Sequence, residues 1–143
     1  MQIRFTLIFT ACVFSVFVFF VAGCGGSSEA KYIPSEASAK ESLNAALKAW
    51  QAGQAHGTVK TDAVPVPIDI YDARWQAGKT LEMFEILRTE ELDKHKAFIV
   101  KTKLKDEDEV QEDTYIVIGN DPLMVFRKQD YDKASGVGGG DGD

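Results

Sequence analysis

The chain has 143 residues, 45% of them hydrophobic and 27% charged, which suits one globular domain of ordinary composition. Its net charge is −6, and Arg4 is the only charged residue before position 24, so loss of that leader takes the balance to −7. An acidic domain repels phosphate backbones, which excludes nucleic acid as an expected partner. Cys12 lies in the apolar leader and Cys24 just after it, so a mature chain has neither an internal disulfide nor a multi-thiolate metal site.

Met1 to Arg4 is a short basic start, and Phe5 to Val21 is an apolar run broken only by Thr6, Thr10 and Ser15. These are the parts of a secretory signal. A run of this length also reads as an uncleaved membrane anchor, which needs about 20 apolar residues. Both readings leave Arg4 inside and the following domain outside. Val21-Ala22-Gly23-Cys24 separates them. An aliphatic residue, two small residues and a cysteine resemble the lipobox of bacterial lipoproteins, with Val21 standing where leucine is commonest. The resemblance implies that Val21, Ala22 and Gly23 are read by the signal peptidase. It further implies that Cys24 is lipidated on sulfur and then acylated, palmitate being the usual chain, on its new amino terminus. Two or more acyl chains anchor stably, at about 0.8 kcal/mol per buried methylene, where one is marginal. Gly25 occupies the place where an aspartate signals inner-membrane retention in enterobacteria. That implies the outer rather than the inner membrane.

The organisation expected is therefore signal peptide 1–23, lipidated cysteine and flexible linker 24–34, folded domain 35–133, and a disordered Gly/Asp tail 134–143. Within the domain, Ala39, Leu43, Ala46, Leu47 and Trp50 recur at helical spacing and predict an amphipathic helix over Ser35–Ala52. Ser38 with Glu41 matches a capping box, Ser35 is the alternative cap, and Gly53 stops the helix. Gln54 to Val64 has no clear period. Ile68–Tyr71 reads as a short edge strand, and Asp72 caps a helical turn over Ala73–Ala77 ended by Gly78. Trp50-Gln51-Ala52-Gly53 recurs as Trp75-Gln76-Ala77-Gly78. With no third copy and unlike flanks, it reads as two helix ends solving one capping problem.

Beyond Gly78 the period becomes alternating. Strands are expected over Lys79–Glu90, with a bulge between Met83 and Phe84, then over Lys96–Lys105, Val110–Gly119 and Leu123–Lys128. Pairing Lys103 with Asp113 sets Val100 against Ile116 and Phe98 against Ile118 on an inner face, and Lys101 against Tyr115 on an outer one. The expected fold class is α+β: one long N-terminal helix packed on a four-stranded antiparallel meander, with a short helix before the sheet. This element order resembles the cystatin-like superfold and its ketosteroid-isomerase-like branch. The Trp75-Gln76-Ala77-Gly78 stretch is also similar to small lipoproteins of planctomycete-type bacteria.

Chemistry is sparse. No phosphate loop, Walker sequence or His-Glu-x-x-His occurs, and His56 and His95 lack flanking ligands at metal spacing. Asp106 to Glu109 reads as a solvated hairpin tip rather than a calcium loop. No cofactor, metal or catalytic residue is expected. Asp69, Tyr71, Asp72, Trp75 and Tyr115 are the candidates for a pocket lining. Two functions are expected in order. The first is a non-catalytic module, tethered through Cys24, that binds an envelope protein, peptide or glycan. The second is a ketosteroid-isomerase-like enzyme or small-molecule binder with a cone-shaped pocket.

Overall fold

The computed structural model describes residues 31–136. Cys24, the lipobox, the leader and residues 137–143 lie outside the described residues. Among the described residues no helix is long and apolar enough to cross a membrane. The elements are α1 (Glu36–Gln51), β1 (Thr58–Val59), β2 (Ile68–Tyr71), α2 (Ala73–Gln76), β3 (Leu81–Leu92), β4 (His95–Leu104), β5 (Val110–Ile118), β6 (Leu123–Arg127) and α3 (Lys128–Ser135).

The class is α+β, but the sheet has six strands and is mixed, in the order β1-β2-β6-β5-β4-β3. The sheet is not a four-stranded antiparallel meander, because β2 lies between β1 and β6 and pairs with β6 in parallel. Nor does one long helix supply the cover, because α1 packs on one face and α3 lies against β5 and β6. Thr58–Val59 is too short for its alternation to show in the sequence. Ile68–Tyr71 then gains two neighbours and is not an edge.

Ser35 caps α1 by accepting from the Ser38 amide at 3.2 Å. Ser38 sits inside the first turn, so the capping box starting there does not form. A helix of this length is marginal alone in water. Its buried stripe of Ala39, Leu43, Ala46, Leu47 and Trp50 joins Ile68, Phe98, Val100, Val117 and Val125 in the core, and that packing holds it.

The β4–β5 register differs from the expected one by three residues. Lys103 pairs with Val110, Val100 with Asp113 and Phe98 with Tyr115. An odd slip exchanges the faces of a strand. It brings Asp113 and Tyr115 to the core side with Phe98 and Val100. It sends Ile116 to the other side, opposite Ala97 and Phe126. That second side is also buried: Ala97 and Ile116 are almost inaccessible, and Tyr131 of α3 meets the Phe126 ring edge-on at 5.3 Å. The sequence reading assumed one apolar face and one cover, so it placed Ile116 inside with α1. In β3 the register shifts fall between Leu81 and Met83 and between Ile86 and Arg88, not between Met83 and Phe84. The last strand stops at Arg127, and Lys128–Ser135 form α3, so the tail's first two residues are helical.

The repeated tetrapeptide has a tertiary meaning. Trp50 and Trp75 stack at 5.5 Å with planes 8° apart. The Trp50 indole donates to the Lys79 carbonyl at 2.7 Å, and the Trp75 indole donates to the Gln54 carbonyl at 2.8 Å. Each tryptophan thus bonds the residue just past the other's glycine. The two ends match in backbone as well. Gly53 and Gly78 share φ +81, and Gln54 and Lys79 close the same six-to-one bonds, onto Ala49 and Arg74. Shared capping is therefore only half of the account, since the two ends also hold each other.

Trp50→Phe and Trp75→Phe keep a ring but leave a carbonyl unpaired, so each is expected to lower stability by about 1 kcal/mol or more. That corresponds to a drop of roughly 5 °C in Tm. Thermal unfolding followed by circular dichroism checks this, and unchanged melting would show that the crossed indole bonds contribute nothing.

Candidate functional site

The strongest chemical feature is a charged cluster on the core side of the sheet, where β2 ends and α2 begins. Asp72 leaves β2 in an extended conformation and caps α2, its Oδ1 accepting from the Arg74 amide at 2.9 Å. One turn of helix then carries the Arg74 side chain back across the inner face. Its Nε and Nη2 donate to Asp72 Oδ1 and Oδ2 at 3.3 and 3.1 Å. Its Nη1 donates to Asp113 Oδ2 at 2.9 Å, on β5. The guanidinium also lies 5.5 Å from the Trp50 ring centre, a cation–π approach.

Hydroxyls and a second arginine close the cluster. Tyr115 donates to Asp72 Oδ2 at 2.6 Å and accepts from Arg74 Nη2 at 3.0 Å. Thr102 donates to Asp113 Oδ2 at 2.5 Å. Arg127 Nε donates to Asp113 Oδ1 at 3.1 Å, and its guanidinium lies 3.7 Å from Asp130. Asp130 in turn accepts from the Ala73 amide at 2.9 Å, so α3 supplies the second cap of α2. Asp72 is 2% exposed and Asp113 7%, which rules out solvent as the main partner of either carboxylate. Two arginines against these two acids make the buried part neutral, as burial of charge demands.

The electrostatics follow from the contacts. Burial pushes the Asp72 carboxyl up, but the bonds and charge of Arg74, then Tyr115, overcome it and hold the group below the usual aspartate range. Burial first, and the Asp72 charge second, push the Tyr115 phenol well above its ordinary value. Arg74 is held more firmly protonated than usual, its own burial penalty being outweighed by Asp72 and Tyr115. Each Asp72 oxygen is already an acceptor, and the phenol proton is already donated. Asp72, Arg74 and Tyr115 are thus each held in one protonation state by the others.

The five expected lining residues do not share one wall. Asp72, Trp75 and Tyr115 come together on the core side. Asp69 and Tyr71 do not join them, because β2 alternates and buries Ile68 and Ile70 instead. Asp69 accepts from the Thr58 hydroxyl at 2.6 Å, and Tyr71 is 45% exposed with its ring stacked on Phe126 at 4.5 Å. Nearby clefts have other walls. One of about 610 Å³ reaches Asp113 and Arg127. Another of about 290 Å³ is bounded by Trp50, His56 and Trp75. Asp72 and Tyr115 line neither. His56 meets the Trp75 ring edge-on at 5.9 Å, and His95 opens β4 opposite Leu92. Among the described residues no group of three or more His, Cys, Asp and Glu side chains is placed to hold a metal ion.

Sequence reasoning missed Arg74, Thr102, Asp113 and Arg127. A signal existed for two of them. Thr102 falls in phase with Phe98, Val100 and Leu104, and a polar residue in an apolar row needs a polar partner. Arg74, sitting two residues beyond a capping aspartate, was the second.

Family models, curated proteins and solved structures yield no match to this chain.

Arg74→Ala would leave the buried Asp72 without its cation and Asp113 with Arg127 alone, and it is expected to lose about 3–5 kcal/mol. Arg74→Lys should recover little of this, because a point charge cannot span both acids. Urea unfolding measures both. The pH dependence has two edges. The folded Asp72 value lies below the ordinary aspartate value of about 3.9, so its contribution is complete above that pH and falls away below it. The folded Tyr115 value lies above the ordinary value of about 10, so its contribution is present below pH 10 and is lost above it. Tyr115→Phe is expected to remove the alkaline edge and keep the acid one.

Proposed function

We propose that this chain is a lipid-tethered, non-catalytic binding domain. Its Cys24 carries the acyl chains after cleavage behind Val21, Ala22 and Gly23, and the domain stands outside the cytoplasm, at the outer membrane rather than the inner. Its partner is an envelope protein, peptide or glycan. One observation carries the non-catalytic part. The strongest set of buried ionisable groups, Asp72, Arg74, Asp113 and Tyr115, satisfies itself, with both carboxylates fixed by arginine. A general acid or base needs an open face toward substrate and a proton it can release or take near neutrality. Asp72 is instead held ionised, and the Tyr115 phenol is held protonated.

A long helix α1, then the short α2, then successive antiparallel strands β3 to β6 across which α1 lies, supports a cystatin-like arrangement. The ketosteroid-isomerase-like alternative needs Asp69 or Asp72 on the wall of an open cavity. Asp69 is bonded to Thr58 on the far side of β2, and Asp72 is sealed by Arg74 and Tyr115.

The anchor is tested in a bacterial host given labelled palmitate. The intact chain is expected to incorporate label and to migrate as the cleaved form. Cys24→Ala should do neither, and equal labelling of both chains refutes the anchor. The non-catalytic part is tested by carbon-13 titration of the Asp72 carboxyl. Proton uptake near neutrality would favour the enzyme instead.

A further inference from the structure

The sheet ends at β3, whose one strand neighbour among the described residues is β4. Alternate backbone groups of an edge strand face away from the sheet and offer pairing to another chain. The Glu82 carbonyl is already taken, by the Gln51 side chain at 2.8 Å. The two register shifts then divide the strand and leave Met83–Ile86 as a regular run beside α1. An open groove of about 780 Å³ lies between this run and the helix. Phe84 and Ile86, partly buried and packed against the core, give it an apolar floor. Lys40, Glu41, Asn44 and Glu85 stand around it.

The charges discriminate between occupants. The other acids of β3 have cations: Glu82 pairs with Lys103 at 3.0 Å, Glu90 with Arg88 at 2.8 Å, and Glu91 with Lys96. Glu41 and Glu85 enter none of these ion pairs, with Lys101 across the ladder from Glu85, and Lys40 is the one cation among the groove-lining residues. A second copy of this chain fits poorly. The antiparallel register that sets Phe84 across from Ile86 of the copy also sets Glu85 across from its own counterpart, and like charges directly opposite repel. A basic strand has no such conflict.

We propose that the Met83–Ile86 edge of β3 is a strand-addition site for an extended peptide of alternating apolar and basic residues. The apolar row enters the groove over Phe84 and Ile86, beside Glu41 of the helix, and the basic row, on the other face of the added strand, meets Glu85. Main-chain bonds supply the affinity and the alternate side chains the selectivity. This rests on the binding-domain reading and names the site and the partner chemistry.

The test uses the full chain, nitrogen-15 labelled, in a neutral detergent, with amide exchange read by NMR. The probes are capped heptapeptides, Lys-Val-Lys-Val-Lys-Val-Lys and Glu-Val-Glu-Val-Glu-Val-Glu. The basic peptide is expected to slow exchange at outward-facing amides within Met83–Ile86 by about ten-fold or more, and the acidic one to leave them unchanged. In Glu85→Lys the preference should weaken or reverse. Equal response to both peptides overturns the proposal, as does no response to either. So does concentration-dependent protection of these amides without peptide, which would place a second copy on the edge. Protection confined to another face overturns this site and leaves the binding-domain reading standing. That reading fails by its own measure, proton uptake by Asp72 near neutrality.

Discussion

One ionic cluster ties the fold together, with Arg74 at its centre. Arg74 joins Asp72, at the end of β2, to Asp113, in the middle of β5, and its planar fork satisfies both at once. Without it, Asp72 would be buried with no cation and Asp113 would keep only Arg127. With it, the cluster ties a parallel-paired strand, a single turn of helix and the centre of the antiparallel sheet into one unit. Arg127 and Asp130 extend the tie to α3. A closed ionic cluster of this kind adds little net stability over an apolar replacement, yet removing one member is strongly destabilising. Its value here lies in specifying the arrangement.

The β4–β5 register shows what is specified. Either face of β5 has apolar residues to bury, Tyr115 and Val117 on one side and Ile116 on the other. Apolar burial alone therefore discriminates weakly between registers an odd number of residues apart. The positions of Asp113 and Tyr115 do discriminate, because one register gives them Arg74, Thr102 and Asp72 and the other does not. The crossed tryptophans then position Arg74. Trp75 follows it in α2, Trp50 lies under its guanidinium, and the two indoles bind the ends of each other's helices. Packing and polar satisfaction converge on one geometry, as a foldable sequence requires.

This arrangement separates the ionic cluster from the accessible surface. The ionisable groups most altered by the fold lie inside and bond one another, while the accessible features are at the periphery. These are the free edge of β3, the groove beside α1, and the Tyr71–Phe126 stack on the opposite face.

Local rules made much of the chain legible. Helical spacing located α1, the capping chemistry of Asp72 and Gly78 located α2, and alternation with turn residues located β3 to β6. The Cys24 stretch lies outside the described residues and rests on its sequence alone. The remainder was decided by tertiary structure. Parallel pairing of β2 with β6 leaves no local trace, because the partners are more than 50 residues apart. The register of β5, the second buried face under α3 and the partnership of Arg74 with Asp113 all depend on groups far apart in sequence. A sequence states which residues are polar. Only the folded chain decides which of them can be buried, because burial requires a partner brought from elsewhere.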